Sequence, residues 1–141
     1  MSKVFVLNGV NLSTLGTRRP EIYGTMTLDD IERLLRDEFP ALDLEFRHTD
    51  YEGEMVAFIK EAAGSDGLVI NAGAWTHYSY ALHDALESLD APKVEVHLSN
   101  VYAREEWRRE SVISPAVDAV IAGMGPHGYV AAFRYVLGWG T

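Results

Sequence analysis

Glu95 and His97 stand two apart in the apolar run KVEVHL, and residues two apart in an extended strand leave the same face, which sets a carboxylate beside an imidazole. The carboxylate favours the charged ring and makes His97 a candidate general acid; a structural ion pair at a strand end is the alternative. Arg18, Arg19 and Tyr23 share one loop. A tyrosine, with a reference pKa near 10, serves as a base at neutral pH only where a cation favours its phenolate, and an arginine five residues away can supply that charge. A Tyr-Gly pair closing a loop is also ordinary turn chemistry. Asn71, Ala72 and Gly73 follow an apolar run and lead into a helix-like segment whose first N–H groups could hold an oxyanion. Arg104 and Arg108, four apart at a predicted helix start, repel each other by roughly 0.2–0.5 kcal/mol, a strain that an anion would relieve. Glu105 and Arg109 make the opposite, favourable pair, so Arg109 reads as a solvated face. His77 and Asp84 are seven apart, two turns along one helix face. His77, His83 and His97 show no HxxxH or HExxH spacing, so no metal is expected.

These residues need elements to position them. Strand-like runs occur at residues 3–7, 42–48, 67–71, 93–98 and 117–122, with helix-like patterns between and after them. Thr27 is placed to cap the first helix, Thr76 the third, and a fourth helix is predicted to begin near Ala103. The βα alternation predicts an α/β three-layer sandwich, a parallel sheet covered on both faces, with the flavodoxin-like strand order 2-1-3-4-5. Ligands of such sheets gather beyond the carboxyl ends of the strands at the switch between strands 1 and 3. That rule nominates three loops: Asn8 to Gly24, Asn71 to His77, and His97 to Arg109. The first runs to nearly twenty residues, where about four to six would connect, so it is expected to bind something. Gly123, Gly125 and Gly128 satisfy GxGxxG, but no following strand or later acidic residue completes a dinucleotide site. A tight turn onto the last helix is the better reading, with His127 incidental.

The 141 residues, 48% hydrophobic, are expected to form one catalytic domain over residues 1–141. A net charge of -9 argues against nucleic acid and requires a local cationic pocket for any anionic metabolite. Lys3, Lys60 and Lys93 are the only lysines and none falls in a nominated loop, which disfavours Schiff-base chemistry. The absence of cysteine excludes disulfides and thiolate chemistry and fits a reducing cytoplasm. No stretch approaches the ~18 apolar residues of a membrane span and no leader pattern is evident, so a cytoplasmic protein that does not engage membranes is expected.

With these residues assembled, the chain resembles the type II 3-dehydroquinate dehydratases. The family pattern LNGPNLNxLGxREPxxYG appears as LNGVNLSTLGTRRPEIYG, INxGxxTHxSxALxDAL as INAGAWTHYSYALHDAL, and EVHxSNxxAREExRxxS as EVHLSNVYAREEWRRES. The resemblance implies conversion of 3-dehydroquinate to 3-dehydroshikimate in the shikimate or quinate pathway, by trans loss of water through an enolate, without a cofactor. It implies Tyr23 as the base at C2, Arg18 as its activator on a mobile loop, Asn11 as positioning a water on the enolate, and His97, held by Glu95, as the acid at the C1 hydroxyl. Asn71, His77, Arg108 and the backbone of Leu98 and Ser99 would hold the substrate's hydroxyls and carboxylate. Asp84 would reach a neighbouring subunit's site in a dodecamer built from trimers.

Three positions depart from the pattern. Val10 replaces a proline, Arg19 a glutamate that Glu21 could partly replace, and His83 an arginine. Val10 and Arg19 motivate one alternative, a paralogue acting on or binding a related cyclic hydroxy-keto acid. A non-enzymatic receiver or flavin carrier is a further alternative, but a receiver needs an acidic cluster after strand 1 and a lysine near strand 5, where this chain has Asn8, Asn11 and no such lysine.

Overall fold

Alternation along the strands sets the layers. In the computed structural model, which describes residues 1–17 and 19–138, β1 (Lys3–Asn8) sends Phe5 and Leu7 to one face of a sheet and Val4 and Val6 to the other. With β2 (Asp43–His48), β3 (Gly67–Asn71), β4 (Lys93–His97) and β5 (Ala119–Ala122) it forms a parallel sheet of order β2-β1-β3-β4-β5, the flavodoxin-like order predicted. Phe5, Leu7, Leu68 and Ile70 pack against Met55 and Ile59 of α3 (Glu52–Glu61) and Leu82 and Leu86 of α4 (Tyr80–Glu87). On the opposite face, Val6, Val69 and Val96 meet Ile31 and Leu35 of α2 (Leu28–Glu38) and Tyr129 and Phe133 of α5 (His127–Val136). A single turn, α1 (Pro20–Tyr23), lies within the long first loop. Among the described residues no helix is long and apolar enough to cross a membrane.

Thr27 caps α2 as predicted, in a reciprocal box: its hydroxyl accepts the Asp30 N–H at 3.1 Å and the Asp30 carboxylate accepts the Thr27 N–H at 3.0 Å. Thr76 does not cap its helix. The chain after β3 first makes a 3-10 turn over Gly73–His77, and Ser79 caps α4 by accepting the Leu82 N–H at 3.1 Å. His77 and Asp84 therefore belong to different elements and share no helix face. No α-helix starts near Ala103. Three 3-10 turns, Val101–Ala103, Glu106–Arg109 and Ser114–Ala116, fill the segment instead, because Arg104 is extended between the first two and Glu105 pairs with Arg108, three residues on, rather than with Arg109. The last of these turns ends at Val117, so β5 begins at Ala119, two residues later than predicted.

The switch between β1 and β3 is tight. Gly9 donates its N–H to the Asn71 carbonyl at 2.7 Å, and a Cβ at Gly9 would lie 2.5 Å from the Ala72 carbonyl oxygen. Gly9→Ala is accordingly expected to cost about 1–3 kcal/mol through overpacking. Urea denaturation reads this as a lowered midpoint; an unchanged midpoint would mean the two strand ends can part without penalty.

Candidate active site

A cleft of about 560 Å³ opens at the carboxyl ends of β1, β3 and β4, lined from all three nominated loops. Asn11 and Tyr23 come from the first, Asn71 and His77 from the second, and His97, Leu98, Ser99, Arg104 and Arg108 from the third. Among the described residues no carboxylate lines it, although the chain carries a net charge of -9. Two guanidinium groups and two imidazoles thus form a local anion pocket on an acidic protein.

His97 is 8% exposed and Glu95 1% exposed. Glu95 Oε2 meets His97 Nε2, while Oε1 accepts the hydroxyls of Ser111 at 3.2 Å and Ser114 at 2.6 Å. A buried carboxylate is costly unless its lone pairs are satisfied, and this one accepts from three donors. With Nε2 turned to Glu95, Nδ1 is the ring nitrogen left for a reacting group. The two serines lie 16 and 19 residues beyond Glu95, and no local pattern marks them.

His77 stacks on His97 at 6.4 Å between centroids and meets the Trp107 ring edge-on at 5.1 Å. Arg108 lies over that same indole at 4.1 Å and pairs with Glu105, so its guanidinium is held from two sides. Arg104 stands 5.0 Å over the Tyr23 ring and donates Nη1 to the Ser99 hydroxyl at 3.2 Å. Its Nε and Nη2 are buried and meet no hydrogen-bond acceptor among the described residues. That is the cation the charge pattern pointed to without giving it a role.

The first loop is shaped by two left-handed residues, Asn11 at φ 68° and Arg19 at φ 42°. Asn11 is held there by its N–H, which donates to Asp50 beyond β2 at 2.9 Å; asparagine tolerates the conformation. Arg19 turns to Glu21, Nε to Oε1 at 3.3 Å, the compensation expected of that carboxylate. Arg18 lies outside the described residues. Gly73 gives its N–H to the Asn71 side chain at 3.2 Å, so that donor is already engaged within the loop expected to hold an oxyanion. Asp84 is exposed on α4 and does not line this cleft. His83, the third departure, contacts the Val112 carbonyl at 2.7 Å and Glu87 at 3.3 Å. Among the described residues no cluster of three or more His, Asp or Glu side chains is arranged to hold a metal ion.

Residues 2–137 match the family described as dehydroquinase class II. The chain belongs to that family. A relative from Azorhizobium caulinodans, named 3-dehydroquinate dehydratase, is 54% identical over 90% of this chain and 88% of its own. Another of the same name, from Pelodictyon phaeoclathratiforme, is 51% identical over 96% and 91%. The crystal structure of a type II dehydroquinase from Butyrivibrio crossotus superimposes with a TM-score of 0.94 at 40% identity, covering 96% of this chain and 97% of that one. Membership in the class II dehydroquinases makes the chain an enzyme, a hydro-lyase.

Two histidines of this dehydroquinase fold are pushed in opposite directions. Burial holds His77 below the usual imidazole pKa, whereas the Val112 carbonyl and then Glu87 raise that of His83. The His77 Nδ1 contact with the Glu110 carbonyl, at 2.6 Å, requires a proton on Nδ1 and leaves Nε2 unprotonated in the neutral ring. As pH falls, His83 is expected to protonate first, above pH ~6.5, and His77 only below it. By linkage, stability contributed by protonated His83 is full below ~6.5 and lost as pH rises through its raised value; His77 costs stability as pH falls from ~6.5 toward its lowered one. Nitrogen-15 NMR of the imidazoles checks this order, and His77 titrating before His83 would contradict it.

Proposed function

We propose that the enzyme converts 3-dehydroquinate to 3-dehydroshikimate by trans elimination of water, without a cofactor. The observation that carries this reading is the arginine-bearing cleft, without a carboxylate among its described lining residues, that gathers Tyr23 and His97 in a chain belonging to the dehydroquinases. Tyr23, as phenolate, removes the C2 proton, and the Arg104 guanidinium over its ring attracts that negative charge. Arg18, on the resemblance, supplies a second cation. The electron pair from C2 moves onto the C3 oxygen as an enolate, with Asn11 positioning a water against it. Collapse of the enolate expels the C1 hydroxyl, which takes a proton from His97, and the new C1=C2 bond is conjugated with the C3 ketone. Glu95 keeps the His97 ring oriented and stabilises its protonated form.

Arg108 suits the substrate carboxylate, because a guanidinium already fixed by Trp107 and Glu105 loses little freedom on pairing. Asn71, His77 and the backbone of Leu98 and Ser99 take the ring hydroxyls. Asp84 reaches the cleft of a neighbouring subunit in a dodecamer built from trimers; support for this comes from its exposure on α4, the helix that Tyr80, 71% exposed, begins. Sedimentation is expected to give a species of twelve chain masses, and a monomer would remove this part of the reading. A place in shikimate or quinate metabolism follows from the reaction, and the cysteine-free composition is consistent with a cytoplasmic location.

The test is the ultraviolet absorbance of the conjugated enone when purified enzyme meets 3-dehydroquinate with no added metal or nucleotide. Turnover of about 1 to 10³ per second is expected. No absorbance from folded protein would overturn the reading and favour a paralogue acting on a related hydroxy-keto acid.

A further inference from the structure

Beneath the cleft, three fully or almost fully buried polar residues form a chain of hydrogen bonds that the elimination does not use. Asn8 ends β1, Asn71 ends β3, and Tyr129 comes up from α5; their exposures are 0%, 3% and 0%. The two outer ends of the chain are backbone groups of fixed polarity. The Arg47 carbonyl can only accept, so Asn8 turns Nδ2 toward it, at 3.0 Å. Asn8 Oδ1 therefore faces Tyr129, whose hydroxyl donates to it at 2.7 Å. With its hydrogen committed, the Tyr129 oxygen accepts from Asn71 Nδ2 at 3.0 Å. Asn71 Oδ1 is left toward the Gly73 N–H, a group that can only donate, at 3.2 Å. Reversing either amide would set donor against donor or acceptor against acceptor in a site closed to water.

We propose that Tyr129 is a positioning residue, which fixes the orientation of the Asn71 amide and hence the donor and acceptor that Asn71 presents to the substrate. After these two bonds Asn71 retains one Nδ2 hydrogen and one Oδ1 lone pair, and the residue is one of those that line the cleft. The proposal rests on the substrate-binding role of Asn71 given above. A purely structural tyrosine would need only its ring, which a phenylalanine also provides. Burial raises the Tyr129 pKa above its ordinary value, which favours the protonated hydroxyl that donates to Asn8.

Tyr129→Phe keeps the ring and deletes the link. For 3-dehydroquinate, kcat/KM is expected to fall roughly tenfold to a hundredfold, mainly through KM, because a misplaced binding group is felt before the chemistry begins. Asn71→Ala should lower kcat/KM by at least as much. The double variant should then match Asn71→Ala within about twofold, since the tyrosine has nothing left to orient. Losses that multiply, or an unchanged kcat/KM in Tyr129→Phe, would overturn the proposal. If Tyr129→Phe does not fold, Asn8→Ala, which removes the acceptor that commits the tyrosine hydrogen, goes through the same cycle with the same two outcomes. An independent readout separates this proposal from the choice of substrate: in nitrogen-15-labelled enzyme, the Asn71 side-chain N–H bonded to Tyr129 should exchange with solvent at least about tenfold faster in Tyr129→Phe. Equal exchange in the two proteins would refute the positioning role whatever the substrate.

Discussion

Tyr23→Phe is expected to lower kcat by roughly 10²- to 10⁴-fold, the range over which a positioned proton acceptor contributes, while leaving the fold unchanged. The substitution deletes one oxygen and retains the ring that Arg104 covers at 5.0 Å. Arg108, Asn71 and His77 are untouched by it, so KM should move by only a few-fold. The measurement is enone absorbance under saturating 3-dehydroquinate, with far-ultraviolet circular dichroism as the check on folding. Retention of more than about a tenth of the wild-type kcat would take the base role from Tyr23.

The second large effect is expected at His97. In His97→Asn the side chain can no longer pass a proton to a leaving hydroxyl, and kcat should again fall by about 10²- to 10⁴-fold. Ser111 and Ser114 continue to satisfy Oε1 of Glu95, so the buried carboxylate is not stranded and the loss of activity need not be a loss of fold. Retention of more than about a tenth of the wild-type kcat in His97→Asn would take the acid role from His97.

Much of this architecture could be read in the chain before folding, for identifiable reasons. The strands were visible because apolar side chains on both faces of a covered parallel sheet make near-continuous runs such as KVFVL and GLVIN, and the ligand-binding end followed from strand order alone. Glu95 and His97 met because a period of two is local. What escaped depends on contacts distant in sequence. Ser111 and Ser114 reach Glu95 only because the segment after β4 folds into 3-10 turns rather than the predicted helix, and the pairing of Glu105 with Arg108 instead of Arg109 is part of the same difference. Asp50 reaches Asn11 across the β1–β2 pairing, a separation of 39 residues. Thr76 resembled a cap as well as Ser79 does, and the choice was made by the Trp75 carbonyl, which accepts the N–H groups of Tyr78 and Ser79 and delays the helix. Arg104 and Arg108 were conspicuous as a like-charged pair, yet spacing could not say that one would cover Tyr23 and the other Trp107.

The central claim, elimination by a base that takes the C2 proton on the face opposite the departing C1 hydroxyl, is tested most directly with 3-dehydroquinate carrying deuterium at C2 anti to that hydroxyl. Proton NMR of the product formed by the wild-type enzyme in ordinary water is predicted to show 3-dehydroshikimate with hydrogen at C2, the deuterium having left with the base. Product that retains the deuterium, or no product at all, would contradict the account.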